Sequence, residues 1–318
     1  MNGNFNIIFG PVPSRRLGKS LGINNIPPKI CSYSCIYCQL GKNTEMTADR
    51  RIFYNPDEIF EKVSIKVEAA LNKGEKIDYI TFVSDGEPTL DVNLKSTILK
   101  LKKLGFPVAV ISNSSLIFMD EVKEALWAAD LVSLKVDTAE EDIWKKINRP
   151  HRQLDLNLIL KSILDFSKNY KGILLTETML IKNINEDEKH IEKTAEFLSQ
   201  LNIQKHYLSM PIRPPAEKYA EAPSAEKINL AYQIMRNKIK KDNVEYIINS
   251  EGNDFAFTGD IEADILGIVS VHPMPEEALN KLLIKAGASW PIVEKLIKCG
   301  KITETIYKDK KFYLRKFL

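Results

Sequence analysis

Short apolar runs and helical apolar stripes take turns along most of this chain. Tyr79-Ile80-Thr81-Phe82-Val83 is such a run, and Ile59, Val63 and Val67 form such a stripe. A bounded apolar run predicts a strand covered on both faces, and recurrence every three or four residues predicts a helix with one buried face. Strands are predicted on this basis at Leu21 to Ile26, Tyr79 to Val83, Val108 to Ile111, Leu131 to Val136, Ile173 to Leu180 and His206 to Met210. The first helix starts at Asn55-Pro56-Asp57-Glu58, a capping residue, a proline suited to the first turn, then two acids. Further helices are predicted at Leu94 to Leu104, Asp120 to Ala129, Leu154 to Lys168, Glu186 to Leu201 and about Ser224 to Lys241. Gly74 and Gly105 close the first two. Six strand–helix alternations predict a parallel sheet, since each crossover helix returns the chain to the same edge. Upstream, Gly10, Pro11, Pro13 and Gly18 break any helix and predict an extended, looped lead-in.

After Asp260 the pattern changes. Leu279 to Ala286 and Ile292 to Lys298 read as helices around a turn at Trp290-Pro291. Gly300 stops the second, and Ile302 to Tyr307 with Phe312 to Phe317 reads as a hairpin over Lys308-Asp309-Lys310-Lys311. Helix, turn, helix and basic hairpin resemble a winged helix. The expected organisation is therefore a large domain over 1–260 and a small one over 261–318. A module of this size serves either to hold nucleic acid or to pack against the larger domain or a partner protein.

The chain has 318 residues, enough for a sizeable core, with 44% hydrophobic and 27% charged residues. No apolar run nears the roughly eighteen residues of a membrane span, and no signal-like region opens the chain. A cytoplasmic location without membrane association is expected. The net charge of +3 is too small to imply nucleic acid over the whole chain. From Ile265 onward, however, ten Lys and Arg face five Asp and Glu.

Three of the four cysteines lie in Cys31-Ser-Tyr-Ser-Cys35-Ile-Tyr-Cys38. Four such residues in a chain of this length make no disulfide framework. Three close thiolates can hold three corners of a cubane iron–sulfur cluster, leaving the fourth iron open to a ligand. Structural zinc is the alternative, but it wants four ligands; the first histidine is His151 and Cys299 is remote.

This spacing resembles the radical S-adenosylmethionine (SAM) superfamily. The resemblance implies a partial (β/α)6 barrel in which Cys31, Cys35 and Cys38 hold a 4Fe–4S cluster and SAM chelates its free iron. It places Tyr37 against the adenine. Ser84-Asp85-Gly86-Glu87-Pro88 resembles the superfamily's G-G-E-P motif, which contacts the SAM amino group; Asp85 stands where the first glycine is usual. These residues follow a predicted strand, as ligand sites in α/β barrels do. So do Ser112 and Asn113, which suit ribose hydroxyls, and Lys135 and Asp137. Glu177 lies inside a strand, where a carboxylate is costly unless paired, and a polar barrel interior accounts for it. Met210 offers backbone to adenine. Arg15, Arg16, Arg149 and Arg213 are candidate contacts for an anionic substrate.

Gly10-Pro11-Val12-Pro13-Ser14-Arg15-Arg16-Leu17-Gly18, the cysteine loop and Pro211-Ile212-Arg213-Pro214-Pro215 together resemble the group beside the wyosine-base (tRNA imidazo-guanosine) synthases, over about residues 5 to 250. Those synthases carry a second cluster on three more N-terminal cysteines, and no cysteine precedes Cys31. The implied activity is reductive cleavage of SAM to a 5′-deoxyadenosyl radical that abstracts hydrogen, with tRNA the leading substrate and a flavodoxin- or ferredoxin-type protein as electron donor. Two alternatives remain at this level: an activating or maturation enzyme for a peptide or partner protein, and a non-enzymatic iron–sulfur sensor with a DNA-binding winged helix.

Overall fold

The computed structural model describes residues 7–239, 243–247 and 252–316. The chain opens with a hairpin of β1 (Ile8–Ser14) and β2 (Gly18–Ile23), followed by a small parallel pair, β3 (Ile30–Cys31) with β4 (Glu45–Met46), around the cysteine loop. Then come α1 (Pro56–Asn72), β5 (Tyr79–Phe82), α2 (Leu94–Leu101), β6 (Val108–Ser112), α3 (Asp120–Trp127), β7 (Leu131–Lys135), α4 (Glu141–Asn148), α5 (Leu156–Asn169), β8 (Ile173–Met179), α6 (Glu188–Ser199), β9 (Lys205–Ser209), α7 (Ala225–Lys238) and β10 (Val244–Ile247). One eight-stranded sheet runs β1-β2-β5-β6-β7-β8-β9-β10 and curls into a partial barrel. All its neighbours from β2 onward pair in parallel.

The six strands predicted from the pattern are present, and the sheet extends beyond them at both ends. The lead-in is a strand, not a loop. At the sheet's edge prolines at Pro11 and Pro13 are tolerated, because an edge strand need not donate every backbone N–H. β2 begins at Gly18 and ends at Ile23, three residues earlier than Leu21 to Ile26 implies. At the far edge β10 adds a seventh parallel strand from the short Val244-Glu-Tyr-Ile247, and α4 is an additional helix before α5. The predicted end of α7 at Lys241 lies outside the described residues.

Alternation along the strands sorts side chains onto two faces. Outward-facing Ile80, Phe82, Val110, Val132, Leu134, Leu174 and Leu208 join the main core beneath the helices. The inward face is floored by Leu17, Ala109, Leu131, Leu175, Tyr207 and Ile247. Above that floor the same face becomes polar, with Lys135, Glu177 and Ser209.

Beyond the barrel follow α8 (Ile261–Val271), β11 (Met274–Pro275), α9 (Glu276–Lys285), α10 (Pro291–Lys298), β12 (Ile302–Tyr307) and β13 (Lys310–Arg315), with the strands in the order β11-β13-β12. Lys308 and Asp309 adopt left-handed conformations (φ 47° and 59°), as a tight hairpin turn requires. The predicted end of this hairpin at Phe317 lies outside the described residues. Ile265, Ile268, Leu279, Leu282, Val293, Leu296 and Tyr313 form a second core that also takes in Phe9 and Val12 of β1.

Candidate active site

At the C-terminal ends of the parallel strands lies a cavity of about 290 Å³. Cys31, Tyr37, Asp85, Gly86, Glu87, Ser112, Asn113, Lys135, Glu177, Met210, Arg16 and Arg213 all line it, with Cys35 and Cys38. Residues scattered over most of the chain thus meet in one place. Asp137 faces a smaller adjoining recess with Tyr37 and Asn148, and neither Arg15 nor Arg149 is among the lining residues. Arg149 instead donates to Glu217 (2.7 Å) and to the Tyr219 hydroxyl (2.8 Å).

The cysteine loop is held by backbone from two directions. On one side the Lys29 amide donates to the Asp85 carbonyl (2.5 Å) and the Glu87 amide to the Ile30 carbonyl (3.3 Å). Gly86 sits under this crossing: a Cβ there would lie 1.8 Å from the Ile30 oxygen, so no side chain fits. On the other side the end of α4 runs along the loop. The Ser34 amide donates to the Asn148 carbonyl (3.0 Å), the Ile36 amide to the Ile147 carbonyl (2.9 Å) and the His151 amide to the Ser32 carbonyl (2.8 Å). Tyr33 is pinned by the Trp144 indole N–H (3.1 Å) in an edge-to-face pair.

Each buried carboxylate near the cavity has its own surroundings. Glu87 accepts from the Thr89 amide and hydroxyl, the Ser112 hydroxyl (2.8 Å) and the Asn113 amide (2.7 Å); burial still raises its pKa. Burial also pushes Glu177 up, but Lys135 and Arg16 outweigh it and hold that carboxyl down at about 2. Its partners are Arg16, Lys135 at 3.2 Å and the Ser209 hydroxyl at 2.8 Å. Lys135 and Glu177 are register partners on β7 and β8, which answers the cost of a carboxylate inside a strand. Lys135 also lies 4.7 Å from the centroid of the Tyr37 ring. Asp137 binds the Tyr37 hydroxyl, the Asn148 side-chain amide (2.7 Å) and the Met179 backbone amide (2.9 Å). Asp85 is the exception. Its two carboxylate oxygens are buried without a hydrogen-bond partner among the described residues, burial raises its pKa well above the usual range, and the charge of Arg315 on β13 opposes that rise.

The loop after β9 and the C-terminal elements form one rim of the cavity. Gln39 donates to the Val271 carbonyl (2.9 Å) and accepts from Arg213 (2.8 Å), which also meets His272 (2.8 Å). The Tyr307 hydroxyl and the Lys308 ammonium each lie 3.3 Å from the Pro211 carbonyl oxygen. These contacts, and the amide of Asn148, have no signature in the local sequence, because each joins residues far apart in the chain.

The cysteine thiols fit a buried metal–sulfur group. Burial pushes all three up, Cys35 to about 12, so in a chain without metal they stay protonated; metal ligation supplies the charge that stabilises thiolates there. Side-chain amide donors stand against two of them, Asn113 at 3.5 Å from the Cys31 sulfur and Asn148 at 3.4 Å from the Cys35 sulfur. Among the described residues no group of three or more His, Cys, Asp or Glu side chains is drawn together to hold a single metal ion.

A fold of this kind with three cysteines facing an open mouth defines a class, and comparison with known proteins gives the same class. The family model described as the Radical SAM superfamily matches residues 25–198. The UPF0026 protein MJ1312 of Methanocaldococcus jannaschii is 49% identical over 97% of this chain and 96% of its own length. A probable dual-specificity RNA methyltransferase of Protochlamydia amoebophila is 26% identical over 53% of this chain and 47% of its own. Among solved structures, TYW1 with a lysine-pyruvate adduct bound superposes with a TM-score of 0.54 at 20% identity, over 69% of this chain and 74% of that one. The chain belongs to the radical SAM superfamily and, within it, to the family of the UPF0026 proteins. It is therefore an enzyme of a superfamily that uses SAM and an iron–sulfur cluster, not a cluster-bearing sensor. No described helix is long and apolar enough to cross a membrane.

Proposed function

We propose that this enzyme modifies RNA, with tRNA as its substrate, and that its cluster is a 4Fe–4S cluster on Cys31, Cys35 and Cys38. Bound there, cluster and SAM supply a one-electron cleavage and a carbon radical able to remove hydrogen from an unactivated C–H. The chain's own residues orient the cofactor and keep water away. With SAM bound, Tyr37 and the backbone at Met210 would flank the adenine, Ser112 and Asn113 would lie toward the ribose, and the Asp85-Gly86-Glu87 turn would face the amino group; all of them line the cavity. Lys135 and Glu177 fix the polar wall opposite. The electron comes from a flavodoxin- or ferredoxin-type donor in the cytoplasm, whose reducing conditions suit open thiolates.

The substrate assignment rests chiefly on one observation. Residues 261–315 supply α8 to β13, an element order that supports the winged-helix reading, and their hairpin turn rests on Pro211 at the cavity rim. We read these residues as a separate domain beside the 1–260 barrel. Lys295 and Lys298 of α10, with Lys310 and Lys311 of the hairpin, are exposed there. A nucleic acid held on the hairpin's lysines would lie beside the opening. The likeness to TYW1 and to an RNA methyltransferase supports the same reading. Arg16 and Arg213, both at the cavity, suit a phosphate.

The test is anaerobic reconstitution followed by measurement of 5′-deoxyadenosine, with and without bulk tRNA. Product raised by tRNA, with binding that weakens steeply with salt, supports the assignment. Product indifferent to tRNA overturns it and points to a peptide or partner protein. Charge reversal at Lys298 and Lys310 is a better companion than truncation, since removing α8 would uncover Phe9 and Val12.

A further inference from the structure

Asn148 ends α4 and is 3% exposed. The next residue, Arg149, is left-handed (φ 45°), and Pro150 follows, so the chain turns sharply away while the side chain of Asn148 stays under the cysteine loop. Its amide nitrogen has two hydrogens. One is directed at the Asp137 carboxylate, 2.7 Å away. The other faces the Cys35 sulfur at 3.4 Å, with the Tyr37 hydroxyl also at 3.4 Å. The carboxylate accepts only, which fixes which end of the amide is nitrogen.

Asn113 repeats this arrangement across the loop. Its oxygen accepts from the Ser115 amide (2.9 Å), one amide hydrogen goes to the Ser32 hydroxyl (3.0 Å), and the nitrogen lies 3.5 Å from the Cys31 sulfur. Both amides are thus anchored by an oxygen partner and leave a second hydrogen for sulfur. The backbone bonds from residues 147–151 to residues 32–36 keep the Asn148 donor at that distance.

We propose that Asn148, together with Asn113, hydrogen-bonds the cluster's cysteine thiolates and raises its reduction potential. This rests on the reading of Cys31, Cys35 and Cys38 as cluster ligands. When the cluster takes one electron from a low-potential reductant, negative charge grows on its sulfurs. A donor held against a thiolate sulfur stabilises that reduced state more than the oxidised one, and hydrogen bonds to sulfur are a recognised control on such potentials. The surrounding carboxylates act the other way. Glu87 opposes negative charge at Cys31, Asp137 at Cys35 and Asp85 at Cys38, while Lys135 and Lys29 favour it at Cys38. In a buried site such terms are weakly screened. The two amides offset carboxylates that would otherwise make the electron harder to accept.

The experiment uses the full chain reconstituted anaerobically with iron and sulfide, and an EPR-monitored redox titration with dithionite. Asn148→Ala is expected to lower the potential by the equivalent of roughly tenfold in the reduction equilibrium, about 59 mV for one electron. Asn113→Ala should shift it the same way, and the double variant further. Asp137→Asn should raise it, which separates loss of the sulfur donor from disturbance of Asp137. An unchanged or raised potential in both asparagine variants overturns the proposal. So does an Asn148→Ala chain that melts like the parent but no longer takes up iron, since the residue would then only shape the loop. If Asn148→Ala fails to fold, Asn113→Ala carries the test alone. A parent chain that binds no iron would instead sink the ligand reading itself.

Discussion

The inner and outer faces of one sheet treat buried polar groups in opposite ways. Glu177 of β8 points into the barrel, while His206 of β9 points out beneath the helices beside Thr176, its register partner. Both pKa values are pushed down, with opposite results. Glu177 resists the effect of burial because Lys135 and Arg16 hold it ionised, with a pKa of about 2. His206 yields to burial, which keeps it neutral with a pKa of about 3 against a weaker opposing effect of Glu177. The inner face is built for charge, and it lines the candidate cavity. The outer face admits a polar ring only in its uncharged form, held by one 2.9 Å bond to Thr176.

That contrast breaks first at the mouth. Cys35→Ser should reduce SAM cleavage to background and lower bound iron, while thermal melting stays near the parent's, because the loop is also held by backbone bonds. A melting point that falls together with activity would mean that the cysteine supports the fold as well. Next in size, Glu177→Gln leaves Lys135 and Arg16 facing each other without their shared anion. Denaturant unfolding should show a loss of about 3 kcal/mol, as for one broken partner of a buried ion pair.

The outer face is sharpened by pH. His206 is depressed below its usual 6.5, so its contribution is complete above pH 6.5 and is lost as pH falls toward about 3. Stability should decline there by about 1.4 kcal/mol per pH unit from this ring alone. Glu177, also depressed, adds its loss only below its unfolded pKa near 4.5, as pH falls toward 2. His206→Asn should flatten the range from 6.5 to 4.5 with SAM cleavage at neutral pH unaltered. The smallest effect belongs to neither face: Lys310→Ala should reduce the salt slope of tRNA binding by about 1 and leave melting unchanged.

Much of the site was legible in the chain because it rests on local spacing. Three cysteines within eight residues can reach one cluster whatever the rest does, and the apolar runs place Asp85 to Glu87, Ser112 and Lys135 at strand ends. The edges of the sheet were less legible. Gly10, Pro11 and Pro13 oppose strand formation by local preference, and only pairing with β2 and packing of Phe9 and Val12 against the C-terminal core overrides them. The brief Val244–Ile247 run becomes a strand because β9 offers it an edge.

By itself, then, the sequence determined the alternating sheet, the cysteine loop and the turns that carry polar groups, all properties of neighbours in the chain. Tertiary structure alone decided which partner each of these buried polar groups meets: Glu177 with Arg16, Asn148 with Cys35, Gln39 with Arg213 and Val271. Hydrogen bonds and ion pairs act over a few ångströms, and the fold brings residues more than a hundred positions apart within that reach.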